Sequence, residues 1–89
     1  MGKIKKGYVL REVAGQAVVI AVGEASKDFH GMINLNCTGK DIWQGVQEGK
    51  TEDEIAQKLT EDYEVSLEKA KEDTRVMLKK MYEAGVMEE

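Results

Sequence analysis

The sequence predicts an α+β domain in which a three-stranded antiparallel sheet is followed by three helices, as in a winged-helix-like fold. Short β-branched stretches fill the first third of the chain, whereas from residue 38 onwards the apolar residues recur at helical spacing. Residues that start or stop helices separate the later part into three segments. With 89 residues, the chain is long enough for one domain with a modest core.

The first strand is predicted at Tyr8–Val13, where β-branched and aromatic residues alternate with a partly polar face. After a turn, the continuous apolar run Ala17–Val22 is typical of a central strand that is covered on both faces. A polar loop at residues 23–28 leads to the third strand, predicted at Phe29–Asn36 and strongest at Met32–Leu35. Short connections favour an antiparallel meander, which leaves the third strand at an edge of the sheet.

The first helix is predicted from Thr38 to about Glu48. Thr38 followed by Asp41 resembles a capping box, with Asp in place of the usual Glu or Gln. Trp43, the only tryptophan, falls one turn into this helix and is expected in the core. Gly49 suits the left-handed residue that ends many helices.

The second and third helices have clearer start signals. The segment Thr51–Glu54 forms a full capping box for the second helix. Ser66 is predicted to cap the third helix, and Gly85 to end it. The apolar faces of these two helices are predicted to contain Ile55, Ala56, Leu59, Leu67, Ala70, Thr74, Met77, Leu78 and Met81.

Composition and charge indicate a globular protein of the cytoplasm. Charged residues make up 34% and apolar residues 42% of the chain, a balance that is unlike disordered sequences. No apolar run approaches the roughly 20 residues that span a bilayer, and the basic start Met1–Lys6 leads into no apolar signal region. Cys37 is the only cysteine, so no disulfide framework exists. We therefore expect a cytoplasmic protein without a membrane partner.

The last two predicted helices resemble a helix-turn-helix, which raises DNA binding as one hypothesis. The charges argue against it, because the formal net charge is −4. Residues 51–64 hold six acidic side chains against Lys58 alone, and the third helix is almost neutral. Such a surface would repel phosphates rather than release counterions from DNA. We therefore expect no nucleic-acid partner.

The sequence offers little for enzyme chemistry. His30 and Cys37 are the only histidine and the only cysteine, and nothing acidic is placed to orient His30 as a base. A buried structural Cys and a histidine at a loop edge explain both residues more simply, and we expect Cys37 to be half-buried. One Cys and one His cannot build a zinc site, and no glycine-rich phosphate loop is present. We expect no catalytic residue, no metal and no cofactor.

The predicted third strand is unusual for an edge. Residues 30–36 carry no charge, if the histidine is neutral, and no proline, whereas soluble proteins usually protect an exposed edge with one of these. Such an edge is either covered, by the third helix or within a homodimer, or is open to another strand. A peptide added there would pair through its backbone and place alternate side chains in a groove. The choice between monomer and homodimer stays open.

A further pattern lies in the order of residues from the third strand to the last helix. Its members are Leu35, Asn36, Thr38, Ile42, Trp43, Gly49, Thr51, Glu54, Ile55, Ala56, Leu59, Tyr63, Val65, Asp73, Thr74, Leu78 and Gly85. This ordered set resembles the PqqD-like family, the pyrroloquinoline quinone biosynthesis protein D family. The fold of that family recurs as the recognition element of ribosomally synthesised and post-translationally modified peptides (RiPPs). The resemblance covers about residues 8–86, and we treat residues 1–89 as a single such domain.

The resemblance implies a winged-helix-like peptide chaperone that is not an enzyme. It implies that the leader segment of a precursor peptide is bound as an added strand between the third strand and the third helix. The peptide is then delivered to a modifying enzyme, often a radical S-adenosylmethionine protein. Two residues depart from the family pattern: Gly39 stands where the family often has Ala, and Gly45 lies inside the first helix. The resemblance does not identify the peptide.

Carried onto this chain, the resemblance gives a groove with one wall from the third strand and one from the third helix. The candidate peptide-binding residues are Met32, Ile33, Asn34, Leu35, Asp73, Val76, Met77 and Lys80. The last four recur at three- and four-residue steps and share one side of a helix. Val76 and Met77 would supply apolar contacts, whereas Asp73 and Lys80 would select opposite charges. Alternatively, Met77 belongs to the core, and Asp73 and Lys80 are only solvated.

Overall fold

The computed structural model describes residues 3–23, 25–28 and 32–88. The predicted order of a three-stranded sheet and then three helices is confirmed, with additional short elements at the two ends and before the last sheet strand. The elements are β1 (Lys3–Ile4), β2 (Tyr8–Val13), β3 (Gln16–Ala21), α1 (Ala25–Asp28), β4 (Met32–Leu35), α2 (Cys37–Gln47), α3 (Glu52–Asp62), α4 (Leu67–Glu83) and β5 (Met87–Glu88).

The main sheet is antiparallel in the order β2-β3-β4, so β4 lies at an edge as predicted. Strands β2 and β3 are joined by the two-residue turn Ala14-Gly15, whose φ angles of 52° and 79° are typical of a type I′ turn. In such a hairpin Val13 and Gln16, which flank the turn, exchange backbone hydrogen bonds. Because bonded and non-bonded pairs alternate, Ala17 and Val19 point their N–H and C=O groups away from β2 and toward β4.

A second sheet, which the sequence did not predict, joins the beginning and the end of the described chain. Strands β1 and β5 are antiparallel, with Lys3 opposite Glu88 and Ile4 opposite Met87. The N–H of Lys5 also donates to the carbonyl of Val86 at 2.8 Å. This pairing holds the segment after α4 against the start of the chain.

Residues 23–28, predicted as a loop, contain one helical turn at Ala25–Asp28. The carbonyl of Gly23 accepts hydrogen bonds from the N–H of Ser26 at 3.1 Å and from its hydroxyl at 2.6 Å. Both bonds satisfy the Gly23 carbonyl just before the helical turn, one of them through the serine side chain. The predicted first part of the third strand, residues 29–31, lies outside the described residues.

The predicted capping box at Thr38 is wrong, because α2 begins one residue earlier, at Cys37, with Asn36 as its N-cap. The side chain of Asn36 accepts a hydrogen bond from the N–H of Gly39 at 2.7 Å. Thr38 does not cap the helix but donates its hydroxyl to the same Asn36 oxygen at 3.0 Å. Asn is among the strongest N-cap residues, so it prevails over a nearby Thr.

The other two helix starts are confirmed. Thr51 and Glu54 form the reciprocal capping box of α3: the Glu54 N–H donates to the Thr51 hydroxyl, and the Thr51 N–H donates to the Glu54 carboxylate. Ser66 caps α4 by accepting from the N–H of Lys69. Gly49 and Gly85 follow α2 and α4 with φ angles of 79° and 78°, which only glycine adopts easily.

Helices α2 and α3 approach closely at Gly45. A Cβ atom at this position would lie 2.7 Å from Cγ1 of Ile55. The glycine inside α2, which costs up to about 1 kcal/mol of helix propensity, therefore permits the two helices to pack against each other.

The core lies between the main sheet and the three long helices. Trp43 is fully buried, as predicted, and so are Ala56 and Ala70. On β3, both Val18 and Val19 are buried although their side chains point to opposite faces, which agrees with the prediction for a central strand. Leu67, by contrast, is 38% exposed and does not belong to the core. Within residues 3–23, 25–28 and 32–88, no helix combines the length and the apolarity needed to cross a membrane.

Candidate functional site

A cavity of about 400 Å³ lies between the edge strand β4 and the last long helix, α4. Side chains of β4, of the start of α2 and of the second half of α4 form its walls. The lining residues are Ile33, Asn34, Leu35, Asn36, Gly39, Trp43, Met77, Lys80, Met81 and Ala84. Most of these residues are apolar, so the cavity suits an apolar side chain.

A second cavity, of about 250 Å³, continues from the first toward the start of α4. The two share Asn36, Gly39, Met77 and Lys80, so they form one continuous groove along α4. We call this the β4–α4 groove. The residues that line only the second cavity are more polar: Thr38, Ile42, Asp73 and Val76.

The candidate residues predicted from the sequence gather at this groove. Seven of them line the two cavities, namely Ile33, Asn34, Leu35, Asp73, Val76, Met77 and Lys80. Met32 does not line them; it lies on β4 and is 59% exposed. The two predicted walls therefore face each other across one groove.

Sequence reasoning missed the floor of the groove, which comes from the start of α2. Asn36, Gly39 and Trp43 line it. Trp43 and Gly39 were noted in the sequence, but one as a core residue and the other as a departure from a family pattern. Nothing in the local sequence shows that a core residue also borders a cavity, because that depends on how α2, β4 and α4 pack together.

The register of the sheet determines which backbone groups of β4 are free. Leu35 and Ile33 lie opposite the two β3 residues that bond toward β4, so their N–H and C=O groups are used within the sheet. Met32 and Asn34 belong to the pairs that exchange no hydrogen bonds with β3. Their N–H and C=O groups point outward, to the open edge beside the groove. This edge can therefore accept another strand without breaking any bond of the existing sheet.

The side chains of β4 alternate in the same way. Leu35 is buried at 6% exposure and Ile33 is half-buried, so both face α4 and the core. Met32 and Asn34 are exposed on the opposite face. A strand added beside β4 would thus direct every second side chain into the β4–α4 groove.

The two charged residues of the groove differ in their surroundings. Asp73 pairs with Lys69, four residues earlier on α4, at 3.1 Å. The hydrogen bond from this pair and the charge of Asp73 raise the pKa of Lys69. Lys80 lines both cavities, and none of the ion pairs among the described residues includes it. The groove therefore holds one neutralised charge and one cation without an ionic partner in the described chain.

Two further features concern the floor of the groove. The indole N–H of Trp43 is buried and has no hydrogen-bond acceptor among the described residues. Gly39 lies where a Cβ atom would be 3.0 Å from the side-chain oxygen of Asn36. Alanine, common at this position in the family that the sequence resembles, would crowd the N-cap of α2, so glycine fits the cap observed here.

Of the two residues considered for catalysis, only Cys37 belongs to the described part of the chain. Cys37, the first residue of α2, is exposed rather than half-buried, and it does not line the β4–α4 groove. His30 lies outside the described residues. In the described part of the chain, no group of His, Cys, Asp and Glu side chains could hold a metal ion. Elsewhere, the Tyr63 hydroxyl donates a hydrogen bond to Asp41 at 2.7 Å, and this bond raises the pKa of Tyr63 to about 12.

Two solved structures are similar to the chain. One is TbiB1 in complex with the TbiA(beta) leader peptide, with a TM-score of 0.77 and 22% identity over 97% of this chain and 94% of that one. The other is lasso peptide synthetase B1 complexed with the leader peptide, with a TM-score of 0.76 and 21% identity over the same shares. At these identities, the likeness establishes the fold.

Comparison with protein families gives a more specific result than comparison with individual proteins. No curated protein matches the chain at a significant level. The family described as coenzyme PQQ synthesis protein D matches residues 8–87, which include the main sheet, all three long helices and both walls of the β4–α4 groove. The chain therefore belongs to the PqqD family.

Proposed function

We propose that this protein binds the leader segment of a ribosomally made precursor peptide and presents it to a modifying enzyme. The leader is bound as a strand added to β4, between β4 and α4. The observation that carries the proposal is the open edge of β4, where the N–H and C=O groups of Met32 and Asn34 point outward beside a groove. Family membership and the leader peptides bound by the two similar structures support it.

The proposed binding mode divides affinity and selectivity between two parts of the groove. The backbone of β4 offers hydrogen bonds to any extended peptide, whatever its sequence. Selectivity comes from the side chains that enter the groove. Met77 and Met81 suit this role, because the flexible methionine side chain adapts to differently shaped apolar partners. Asn34 and Met32 would contribute mainly through their backbone groups.

In this proposal the protein binds and positions the peptide, and another protein carries out the chemistry. Cys37 is exposed, and none of the side-chain hydrogen bonds among the described residues reaches its thiol. It is therefore not proposed as a nucleophile. We propose a radical S-adenosylmethionine protein as the modifying enzyme, on the family resemblance alone. Co-purification of the two proteins from a strain that expresses both tests this part separately.

DNA binding is not proposed. Helix α4, which would be the recognition helix, forms a wall of the β4–α4 groove. The preceding helix begins with three exposed acidic side chains, Glu52, Asp53 and Glu54, which would repel the phosphate backbone. A gel-shift measurement at low salt, where non-specific DNA binding is strongest, should therefore show no complex.

Hydrogen exchange tests the proposed binding mode at single residues. The probe is the leader peptide of a precursor encoded beside this protein's gene. On binding, the amides of Met32 and Asn34 should become protected, because they gain partners in the added strand. The amides of Ile33 and Leu35 serve as internal controls, since they are already bonded to β3. A complex in which Met32 and Asn34 stay unprotected would contradict strand addition at β4.

A further inference from the structure

Lys80 has an unusual position among the charged residues of α4. It lies at the junction of the two cavities of the groove. Among the positions three and four residues away, Val76, Met77 and Ala84 cannot pair with Lys80, and Glu83 alone is acidic. The nearest acid on the same helix, Glu83, lies 4.0 Å from Lys79 in an ion pair of its own. Because Glu83 pairs with Lys79 instead, none of the ion pairs among the described residues includes Lys80, which lines both cavities.

The acidic residue of the groove does not compensate Lys80. Asp73 already pairs with Lys69 at 3.1 Å, and its side chain is 31% exposed. Of the two charged residues that line the groove, Asp73 is thus paired and Lys80 is not, although the whole chain carries a net charge of −4.

The geometry of β4 limits the positions at which an acidic side chain of a bound peptide could reach Lys80. Only side chains on one face of an added strand enter the groove, and they recur at every second residue. One of these positions reaches the apolar cavity beside Trp43 and Met81. The position that reaches Lys80 lies on the same face. The two side chains are therefore separated by an odd number of residues, as in acid-x-apolar or acid-x-x-x-apolar.

We propose that the β4–α4 groove selects leader peptides that carry an Asp or Glu side chain opposite Lys80, on the same strand face as an apolar anchor. This inference rests on the proposed function and specifies the chemistry of its ligand. The carboxylate and the ammonium group meet beside apolar side chains, where an ion pair is less screened than on an open surface.

Selection from a display library of short random peptides tests the proposal without knowledge of the natural leader. We expect the peptides that bind the wild-type protein to be enriched in an acid and an apolar residue at the spacing described above. For an enriched acidic peptide, Lys80→Glu should weaken binding roughly tenfold, because it replaces attraction with repulsion. The same variant used for selection should enrich Lys or Arg in place of the acid.

Lys79→Glu is the matched control, since it makes the same change of charge on the next residue, whose side chain is 80% exposed and lies outside the groove. It should leave both the affinity and the enriched pattern unchanged. Bound peptides without the acid, or an unchanged pattern with Lys80→Glu, would overturn the charge preference and leave strand addition standing. A folded protein that selects no peptide at all would overturn the proposed function as well.

Discussion

Strands β2 and β4 are the two edges of one sheet, but they present their free backbone groups in different surroundings. On β2, the register directs the N–H groups of Leu10 and Glu12 outward. The adjacent side chains Arg11 and Glu12 are charged and exposed, and Lys40 of α2 pairs with Glu12. The β4 edge carries no charge on Met32–Leu35 and faces a groove.

This difference shows how a small sheet can keep one edge closed to other strands and the other edge available. Charged side chains along an edge discourage the addition of strands, because an incoming chain would have to desolvate them. Strand β2 has this protection and β4 lacks it. The following variants test this comparison, from the largest expected effect to the smallest.

Met77→Asp should weaken leader binding most. The substitution places a carboxylate where the peptide's apolar anchor would lie, at a cost of about 1–3 kcal/mol, or roughly tenfold to more than hundredfold in affinity. Calorimetric titration of the leader measures the effect. Val13→Asp is the matched control, because it introduces the same charge at an exposed apolar residue of β2.

Because Met77 also packs against the core, circular dichroism must show that the Met77→Asp protein is folded. Val76→Asp is a second route to the same test, since Val76 lines the groove but is 48% exposed. Equal affinities for the wild type and both folded variants would show that α4 does not form a wall of the binding site.

Asn34→Pro should weaken leader binding by about tenfold or more, because it removes an outward N–H and places a ring against the incoming strand. Asn34→Ala retains the N–H and should have a smaller effect. Glu12→Pro removes the equivalent outward N–H from β2 and should leave affinity unchanged in a folded protein. Titration of all three variants measures this contrast, and equal losses at both edges would refute the assignment of β4 as the binding edge.

The stabilising effect of the Lys40–Glu12 ion pair at the β2 edge should depend on pH. The hydrogen bond from Lys40 lowers the pKa of Glu12, so its stabilising effect is present above the ordinary carboxyl pKa and is lost as the pH falls through the lowered value. The difference in melting temperature between the wild type and Glu12→Gln should be small at neutral pH and should vanish in acid. A difference that grows on acidification would contradict this assignment.

Cys37→Ser should have the smallest effect. Cys37 lies two residues after the end of β4, but it is exposed and makes no side-chain hydrogen bond to another described residue. Both leader affinity and maturation of the precursor by the modifying enzyme should remain close to wild type, and the same is expected for His30→Ala. Loss of maturation with unchanged fold and affinity would show that the protein takes part in the chemistry.

Features that depend on nearby residues could be predicted from the sequence, and features that depend on distant ones could not. The cap at Thr51–Glu54 needs only its own side chains and was predicted fully. At the start of α2, two cap residues compete within three positions, and the stronger one, Asn36, was overlooked. The β1–β5 sheet pairs Lys3 with Glu88; two-residue strands have no periodicity that would reveal them.

In the candidate site, too, features set by nearby residues could be predicted, and features set by distant residues could not. Helical spacing predicted Asp73, Met77 and Lys80 on one side of α4, and all three line the β4–α4 groove. The outward direction of the Asn34 N–H could not be predicted from the sequence, because it depends on which residue pairs of the sheet exchange hydrogen bonds. That alternation follows from the turn between β2 and β3 and from the register of β4. Whether these residues contact a peptide stays a prediction.

The place of Trp43 at the floor of the groove gives the protein a natural optical reporter. It is the only tryptophan of the chain, so the indole emission arises from one side chain that borders the cavity. A leader peptide without tryptophan that fills this cavity would change the polarity and the quenching groups around a single fluorophore. Occupancy could then be followed by the wavelength and lifetime of emission, in solution and without any label, including the rates at which the peptide arrives and departs.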